Sequence, residues 1–439
     1  MLSKINPIIS VICSIILFLL IIVLYSNERV DIITISLIFA VIACLIAYFS
    51  FGTELTEFIG FIEFDALIFI ICMQIIVSIA EKYRIFQWIA IKAIQFTKGH
   101  HRKFFYLICI LASLSSAIIS DITVGVIFVP IVIRSCKILE IDPVPYLLGL
   151  CFTINIGSIY TPFSSSENIL IASAFDIDLI WFLKNFTLVV FPILILTLVI
   201  LDHAILKRIS PPSENQKKIL LEIMDPNLMI SDKTTFITNC IYFSSVIIGF
   251  FFVSEAYLVA LVGSLLIILL NRKKTGKTFT DILRTIDWDV IIFFISIFLI
   301  IGTMQLNGTF FALGTYIGGI VPENQFWAAI LILVLIAIVS GFLAQIPTAL
   351  VFISILTQIY GNEVPQIIII GFLLGINLGS NFIPQGAPLS IMTLNTAKKY
   401  NVEGFTYKIL LKNGIKITLF HIFFSILYLM LYSLVVGII

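Results

Sequence analysis

Charge is scarce in this sequence. Asp, Glu, Lys and Arg make up 12% of its 439 residues, where a soluble domain carries roughly 25%, so the chain lacks the side chains to face water on all sides. The charges nearly cancel, at +1, and no basic, aromatic-interleaved segment lies outside the apolar runs, which excludes a nucleic-acid-binding surface. Paired cysteines are missing as well. Cys13, Cys44, Cys72, Cys109, Cys136, Cys151 and Cys240 stand singly, mostly in apolar runs. They lack the spacing of a disulfide framework or a zinc site and read as small buried apolar side chains. The histidines His100, His101, His203 and His421 show no HExxH-type spacing and are expected in loops or at membrane interfaces. No cluster of catalytic or metal-ligating residues supports an enzyme, and no cofactor is implied.

What the sequence has in abundance is hydrophobic residues, 60% of the chain, in runs long enough for helices rising about 1.5 Å per residue to cross a hydrocarbon layer of about 30 Å. Full spans are predicted near residues 6–26, 30–51, 64–80, 145–175 and 179–205, and again near 234–253, 256–271, 288–306, 366–398 and 408–438. The run after Lys4 lacks a small-residue cleavage site and leads into another span, so it reads as the first transmembrane helix, not a secretory signal. The polar stretch 207–233, with Pro211 and Pro212, is the one sizeable hydrophilic linker. It divides the chain into a first half, 1–206, a cytoplasmic linker, 207–233, and a second half, 234–439. The expected molecule is an all-α, multi-pass integral protein of the cell membrane, with the lipid bilayer as its partner.

Two apolar segments, 103–137 and 325–360, are interrupted midway by small and polar residues, Ser115 to Thr123 and Ser340 to Thr348. A re-entrant helical hairpin fits both better than a straight helix with a polar notch, because polar backbone at membrane depth is tolerated where it is buried in protein or lines a cavity.

The halves resemble each other. Ile62, Asp65, Ile68, Phe69 and Ile71 recur as Ile286, Asp289, Ile292, Phe293 and Ile295, each moved by the 224 positions that separate Asp65 from Asp289. The same offset carries Ser116 to Ser340, Ile122 to Ile346 and Phe128 to Phe352. An offset of 222 maps Gly149, Ile154, Asn155, Gly157, Ser158 and Pro162 onto Gly371, Ile376, Asn377, Gly379, Ser380 and Pro384. Internal duplication of this kind is common in transporter folds. Orientation follows from charge. With the amino terminus outside, all but Lys4 and Lys184 of the 26 Lys and Arg fall on cytoplasmic ends. The connector before the first hairpin holds Lys82, Arg84, Lys92, Lys98, Arg102 and Lys103, whereas its mate, Gln305 to Gln325, has none. Equivalent segments therefore face opposite sides, making the repeats inverted. Trp88 and the spaced apolar residues of the first connector suit a helix lying at the interface.

Each half also has a span broken in its middle, at Gly157–Ser166 and at Gly379–Pro388. Glycine and proline there should unwind the helix and free backbone amides and carbonyls at depth, where they hold ions. A proline kink needed only for packing is the bland alternative. Asp121, at the first hairpin tip, and Glu167, after the first break, stand in apolar surroundings, where carboxylates generally face a cavity or bind Na⁺ or H⁺. Glu167 has the alternative of serving a helix amino terminus. The second half offers amides instead: Gln345, Asn377, Asn381 and Gln385. Candidate substrate or ion ligands are Ser120, Asp121, Thr123, Asn155, Gly157, Ser158, Thr161, Glu167, Asn168, Gln345, Thr348, Asn377, Gly379, Ser380 and Gln385. Ser120, Asp121 and Asn155 are the candidate Na⁺ ligands. Glu63, Asp65, Asp287 and Asp289 precede or open spans, and read as helix-capping structural acids.

These motifs resemble an ion-transporter superfamily that includes arsenite permeases, D-type sodium/proton antiporters, and citrate and dicarboxylate/sodium symporters. The resemblance rests on Val129-Pro130, on Ile346-Pro347-Thr348-Ala349-Leu350-Val351, and on the segments from Asn155-Ile156-Gly157-Ser158 to Asn168 and from Asn377-Leu378-Gly379-Ser380 to Ser390. It implies inverted repeats, two hairpins and a midplane site, and it is compatible with a homodimer. The symporters' Ser-Asn-Thr tip signature reads Ser120-Asp121-Ile122 and Ala344-Gln345-Ile346 here, so a standard pair of sodium sites does not carry over. The antiporters' Asp-Asn pair is likewise displaced or lost. The second tip is closer to the Asn-Asn-Leu-Pro-Thr-like tip of arsenite permeases. The expected function is secondary transport of a small anion, arsenite or an organic acid, coupled to H⁺ or Na⁺. Sodium/proton antiport is the alternative, ahead of a channel or a membrane-embedded enzyme.

Overall fold

The computed structural model describes residues 7–25, 31–230, 232–253, 255–275, 279–343, 345–361 and 363–438, and among these every regular element is a helix. Lys4 and Ala344 lie outside the described residues. The first half runs through spans Pro7–Tyr25, Ile32–Phe51 and Phe64–Lys82, then a shorter helix, Ile85–Thr97. Hairpin 1 follows as His101–Ser116 and Asp121–Leu139, then broken helix 1 as Val144–Gly157 and Ser166–Ala174, then Leu179–Ala204. The second half repeats that order. Lys233–Gly249, Ala256–Thr275 and Trp288–Leu306 lead to the shorter Thr309–Gly318, to hairpin 2 as Gln325–Phe342 and Gln345–Tyr360, to broken helix 2 as Gln366–Gly379 and Pro388–Lys399, and to Tyr407–Val436.

Seven described helices are long and apolar enough to cross a membrane: five lie at spans expected from the sequence, and two, Asp121–Leu139 and Gln325–Phe342, are arms of the hairpins. Of the other expected spans, the two broken ones are split by glycine and proline into pieces shorter than the bilayer. Turn chemistry fixes the helix ends. Asp31 caps Ile32–Phe51 by accepting from Thr34 N at 3.2 Å, and Gly52 closes that helix with φ +75°. Asp178 and Asn324 cap Leu179–Ala204 and Gln325–Phe342 in the same way.

The equivalent helices Phe64–Lys82 and Trp288–Leu306 meet with opposite ends. Gln74 Oε1, midway along the first, accepts from Asp287 N at the start of the second at 2.8 Å, and Ser78 Oγ, nearer the first helix's carboxy end, lies 3.4 Å from Thr285 Oγ1, which precedes the second. Because the two elements occupy equivalent places in their halves, this antiparallel meeting is what an inverted repeat requires.

Within each half the first hairpin arm lies along the amino-terminal piece of the broken helix, and glycines let the backbones touch. A Cβ on Gly157 would sit 2.1 Å from Ser113 O, and one on Gly379 would sit 2.3 Å from Ala337 Cα. Serines cross the same seams: Ser116 Oγ lies 2.8 Å from Ile154 O, and its mate Ser340 Oγ lies 3.4 Å from Gly375 O. Tyr407–Val436 shows how the outer surface is made, with Leu419, Phe423 and Leu427 exposed on one side and Thr418, His421 and Ser425 buried on the other. An apolar exposed stripe on such a chain faces lipid. His421, expected at a loop or interface, is instead fully buried mid-helix, with Nε2 2.9 Å from Thr197 Oγ1.

Candidate functional site

The two hairpin tips and both helix breaks converge on one cavity of about 470 Å³. Four helices of the hairpins and breaks begin at its wall, at Asp121, Ser166, Gln345 and Pro388, and a fifth, Trp288–Leu306, begins between the lining residues Asp287 and Asp289. A helix amino terminus presents unpaired N–H groups and the positive end of the macrodipole, so these starts give the cavity a positive lining, reduced at Pro388, whose own nitrogen carries no hydrogen. The two first-half starts carry their own carboxylates in the first turn, Asp121 and Glu167. Of the second-half starts, those at Gln345 and Pro388 carry none, and the one at Trp288 carries Asp289 with Asp287 as its cap.

At tip 1, Ser120 caps the Asp121–Leu139 helix, with Oγ accepting from Thr123 N at 3.3 Å and lying 2.9 Å from Thr123 Oγ1. Asp121 Oδ1 accepts from Ile122 N at 2.8 Å. Asp121 and Glu167 are both buried and both line this cavity. Two carboxylates removed from water in one cavity need a compensating positive charge, supplied by a cation or by protons. Further acids, Glu81, Asp287 and Asp289, line the same cavity towards the end of the molecule that carries Lys82 and Arg284. No Lys, Arg or His lies among its described lining residues.

The other sequence candidates divide into groups. Ser120, Asp121, Thr123, Glu167 and Gln345 line the cavity. Asn155, Ser158, Thr161, Asn168 and Asn377 sit behind it in a buried network that ties the breaks together. Asn155 Nδ2 donates to Asn381 Oδ1 at 2.7 Å, and Asn377 Nδ2 donates to Asn168 Oδ1 at 2.9 Å. Ser158 Oγ is 3.2 Å from Asn377 Oδ1, and Asn168 Nδ2 donates to Ser158 O at 2.8 Å. Thr161 Oγ1 donates to Ala117 O at 2.6 Å, binding the first break to tip 1. Ser380 Oγ donates to Asn377 O at 2.7 Å. Gly157 and Gly379 are the close-packing positions described above, and Thr348 is buried in the helix that starts at Gln345. Gln385 stands apart, accepting from Tyr407 Oη at 2.5 Å.

Sequence reasoning missed Gln74, Glu81, Ser165, Ser166, Asp287 and Asp289 as cavity-lining residues. The acids among them were visible, but their position at helix ends supplied a sufficient structural reason for Asp287 and Asp289. Asp287 does cap its helix, accepting from Val290 N at 3.4 Å, and lines the cavity as well.

Comparison with known proteins bears on this geometry. Among solved structures, the Alcanivorax borkumensis YdaH transporter, described as having an unusual topology, shares the fold with a TM-score of 0.59 over 87% of each chain at 11% identity. The mouse P protein is 23% identical over 473 residues, covering 88% of this chain and 56% of its own length, so the chain spans about half of that relative. An uncharacterised transporter of Mycobacterium tuberculosis (strain CDC 1551 / Oshkosh) is 23% identical over 384 residues, 86% of this chain and 88% of its own. The sequence pattern of the family described as "Citrate transporter" matches residues 15–363. That match takes in most of the chain, including both hairpins: the protein belongs to the citrate transporter family and is a multi-pass membrane transporter.

Proposed function

We propose that the protein is a secondary active carrier that moves a small anion together with a coupling cation or proton. The observation that supports this reading is the unequal dressing of the hairpin and break helix starts around one cavity. At Asp121 and Ser166 the positive helix ends already face the carboxylates Asp121 and Glu167, a pair suited to a cation or to protons. At Gln345 and Pro388 the helix ends have no acid in their first turn, and a helix amino terminus without a carboxylate favours an anionic group. In this reading the first half holds the coupling ion and the second half holds the substrate, a small organic acid or inorganic oxyanion. Binding of the cation offsets the carboxylates' negative field, which otherwise repels the substrate, so the two load in a linked fashion.

The test is accumulation of labelled small anions in proteoliposomes, with Na⁺ and pH gradients imposed separately. Uptake driven by one gradient, and absent without it, is the expected result; anion flux indifferent to both gradients overturns the reading. A second reading, sodium/proton antiport, is favoured by the five carboxylates and the absence of Lys and Arg among the described lining residues. It predicts Na⁺ movement against a pH gradient with no anion present.

A further inference from the structure

A second pocket, of about 350 Å³, lies next to the first. One helix runs past both. Asp65, Ala66 and Phe69 of Phe64–Lys82 line the second pocket, and Ile70, Met73, Gln74, Val77, Ser78 and Glu81 line the first. At about 1.5 Å per residue, the path from Asp65 to Glu81 covers about 24 Å, most of the depth of a hydrocarbon layer. The two pockets are therefore successive along the membrane normal, and the change from one to the other falls between Phe69 and Ile70.

Three rings occupy that level. Phe163, from the unwound break of broken helix 1, stacks on Phe250, which follows the Lys233–Gly249 helix, with centroids 4.5 Å apart and planes inclined by 27°. Phe69 completes the group, at 6.3 Å from Phe163 and 6.0 Å from Phe250. Phe163 lines both pockets, as does Ile169. All three rings are buried, yet they come from three separate segments joined here by side-chain contact. Phe163 belongs to the break that leads into the Ser166–Ala174 helix, whose second residue is Glu167.

We infer that Phe163, Phe250 and Phe69 form the barrier that closes the second mouth of the transport route, the pocket bounded by Asp65, Asp176 and Glu255 being that mouth. The inference rests on the carrier reading above. Three apolar rings exclude water and ions from a gap they fill, and they part without breaking any hydrogen bond. In the present arrangement the cavity holding Asp121 and Glu167 opens towards the Lys82 and Arg284 end, and the ring cluster seals the other. Movement of broken helix 1 against the Phe69 and Phe250 segments would open it.

The experiment reads access, not transport, so it stands whether or not the substrate assignment holds. Ser165→Cys is introduced into the cavity in a cysteine-free background, and its modification by a charged, membrane-impermeant thiol reagent is timed from each side in oriented vesicles. Modification is expected from the Lys82 side alone. Adding Phe163→Ala or Phe250→Ala should raise the rate from the Asp65 side by about tenfold or more, the factor that corresponds to roughly 1.4 kcal/mol. A variant that keeps its rate from the Lys82 side while remaining closed from the Asp65 side overturns the proposal. Where the alanine variants fail to fold, Phe163→Leu and Phe250→Leu, which keep an apolar side chain of smaller girth, give a second measurement. Each should raise the rate of Ser165→Cys modification from the Asp65 side while leaving the rate from the Lys82 side unchanged; an Asp65-side rate no higher than that of the Ser165→Cys parent also overturns the barrier.

Discussion

The two hairpins occupy equivalent places in their halves and end at the same cavity, but their tips are chemically different. Tip 1 presents Ser120, Asp121 and Thr123, and the neighbouring helix start adds Glu167. Tip 2 presents Gln345 and Ile346, and the residue matching Glu167 is Leu389, which is fully buried. Leu389 packs against hairpin 1, so closely that a Cβ on Gly125 would lie 2.4 Å from its Cδ1. What survives in both halves is the packing frame: the glycine seam, the crossing serines and the asparagines of the breaks. The carboxylates Asp121 and Glu167 have no counterpart at tip 2 or the second break, and the second half's cavity-lining acids, Asp287 and Asp289, stand at the start of a different helix. A duplicated frame tolerates this because the seams lie behind the cavity, whereas the tip residues face its open volume and are free to change without disturbing the seams.

The sharpest way to break this comparison is to exchange the tips' chemistry. Asp121→Asn should lower gradient-driven flux by about 100-fold, roughly 2.7 kcal/mol of lost driving interaction, and remove its dependence on the coupling ion. Adding Gln345→Asp to that variant should not restore flux. The new carboxylate would replace a side chain whose Nε2 lies 3.4 Å from Ile376 O, so it would meet a backbone carbonyl at tip 2 and would not restore the acid of tip 1. The measurement is uptake in proteoliposomes across a series of Na⁺ and H⁺ gradients. Full rescue by the swapped acid would show that the halves are interchangeable and that the asymmetry carries no function.

Much of the frame was legible in the sequence. Apolar run length gave the spans, and the Asn-x-Gly-Ser segments and the shared offsets gave the repeat, because packing seams demand particular small residues at particular spacings. The cavity was less legible. Asn155, Ser158, Asn168 and Asn377 are polar residues at depth, and one chain read linearly cannot distinguish a side chain that faces a ligand from one that faces another half of the molecule. The pairing of Asn155 with Asn381 and of Asn377 with Asn168 depends on the two breaks crossing, a long-range contact without a local signature. Asp287 and Asp289 were hidden for the opposite reason: capping accounted for them, although a capping carboxylate retains lone pairs that can face a cavity. The ring cluster of Phe69, Phe163 and Phe250 had no signal at all in a chain with 39 phenylalanines.

Smaller in effect, and directed at what the halves share, are Gly157→Ala and Gly379→Ala. In each case the added methyl meets backbone, Ser113 O at 2.1 Å or Ala337 Cα at 2.3 Å, so neither clash can be relieved by turning a side chain. Each should destabilise the protein by roughly 1–3 kcal/mol through overpacking, read as a lower apparent melting temperature in detergent. Similar losses at both sites would establish the seams as equivalent load points. A loss at Gly157 alone would extend the asymmetry of the tips into the frame.

The outer ends of the hairpins should give the smallest changes, and they separate two ways of anchoring the same element. Hairpin 1 is held by an ion pair: Arg102 Nε and Nη2 donate to Asp202 Oδ1 at 3.0 and 2.8 Å, Nη2 also reaches Oδ2 at 2.8 Å, and Tyr106 Oη donates to Oδ2 at 3.0 Å. Hairpin 2 begins with a neutral cap, Asn324 Oδ1 accepting from Phe326 N at 3.0 Å and from Trp327 N at 3.4 Å. Arg102→Gln leaves the buried Asp202 carboxylate with Tyr106, yet the Arg102 side chain is 41% exposed, so solvent screening holds the cost to about 1 kcal/mol. Asn324→Ala should also cost about 1 kcal/mol, the usual value for a lost amino-terminal cap. Salt distinguishes them. Raising ionic strength weakens a partly exposed charge pair and leaves a neutral cap nearly untouched, so the stability gap between wild type and Arg102→Gln should narrow in high salt while the gap for Asn324→Ala stays constant. Equal salt responses would mean that the charge on Arg102 does no more for hairpin 1 than Asn324 does for hairpin 2, leaving the charge difference between the two hairpins at their tips, where Asp121 stands against Gln345.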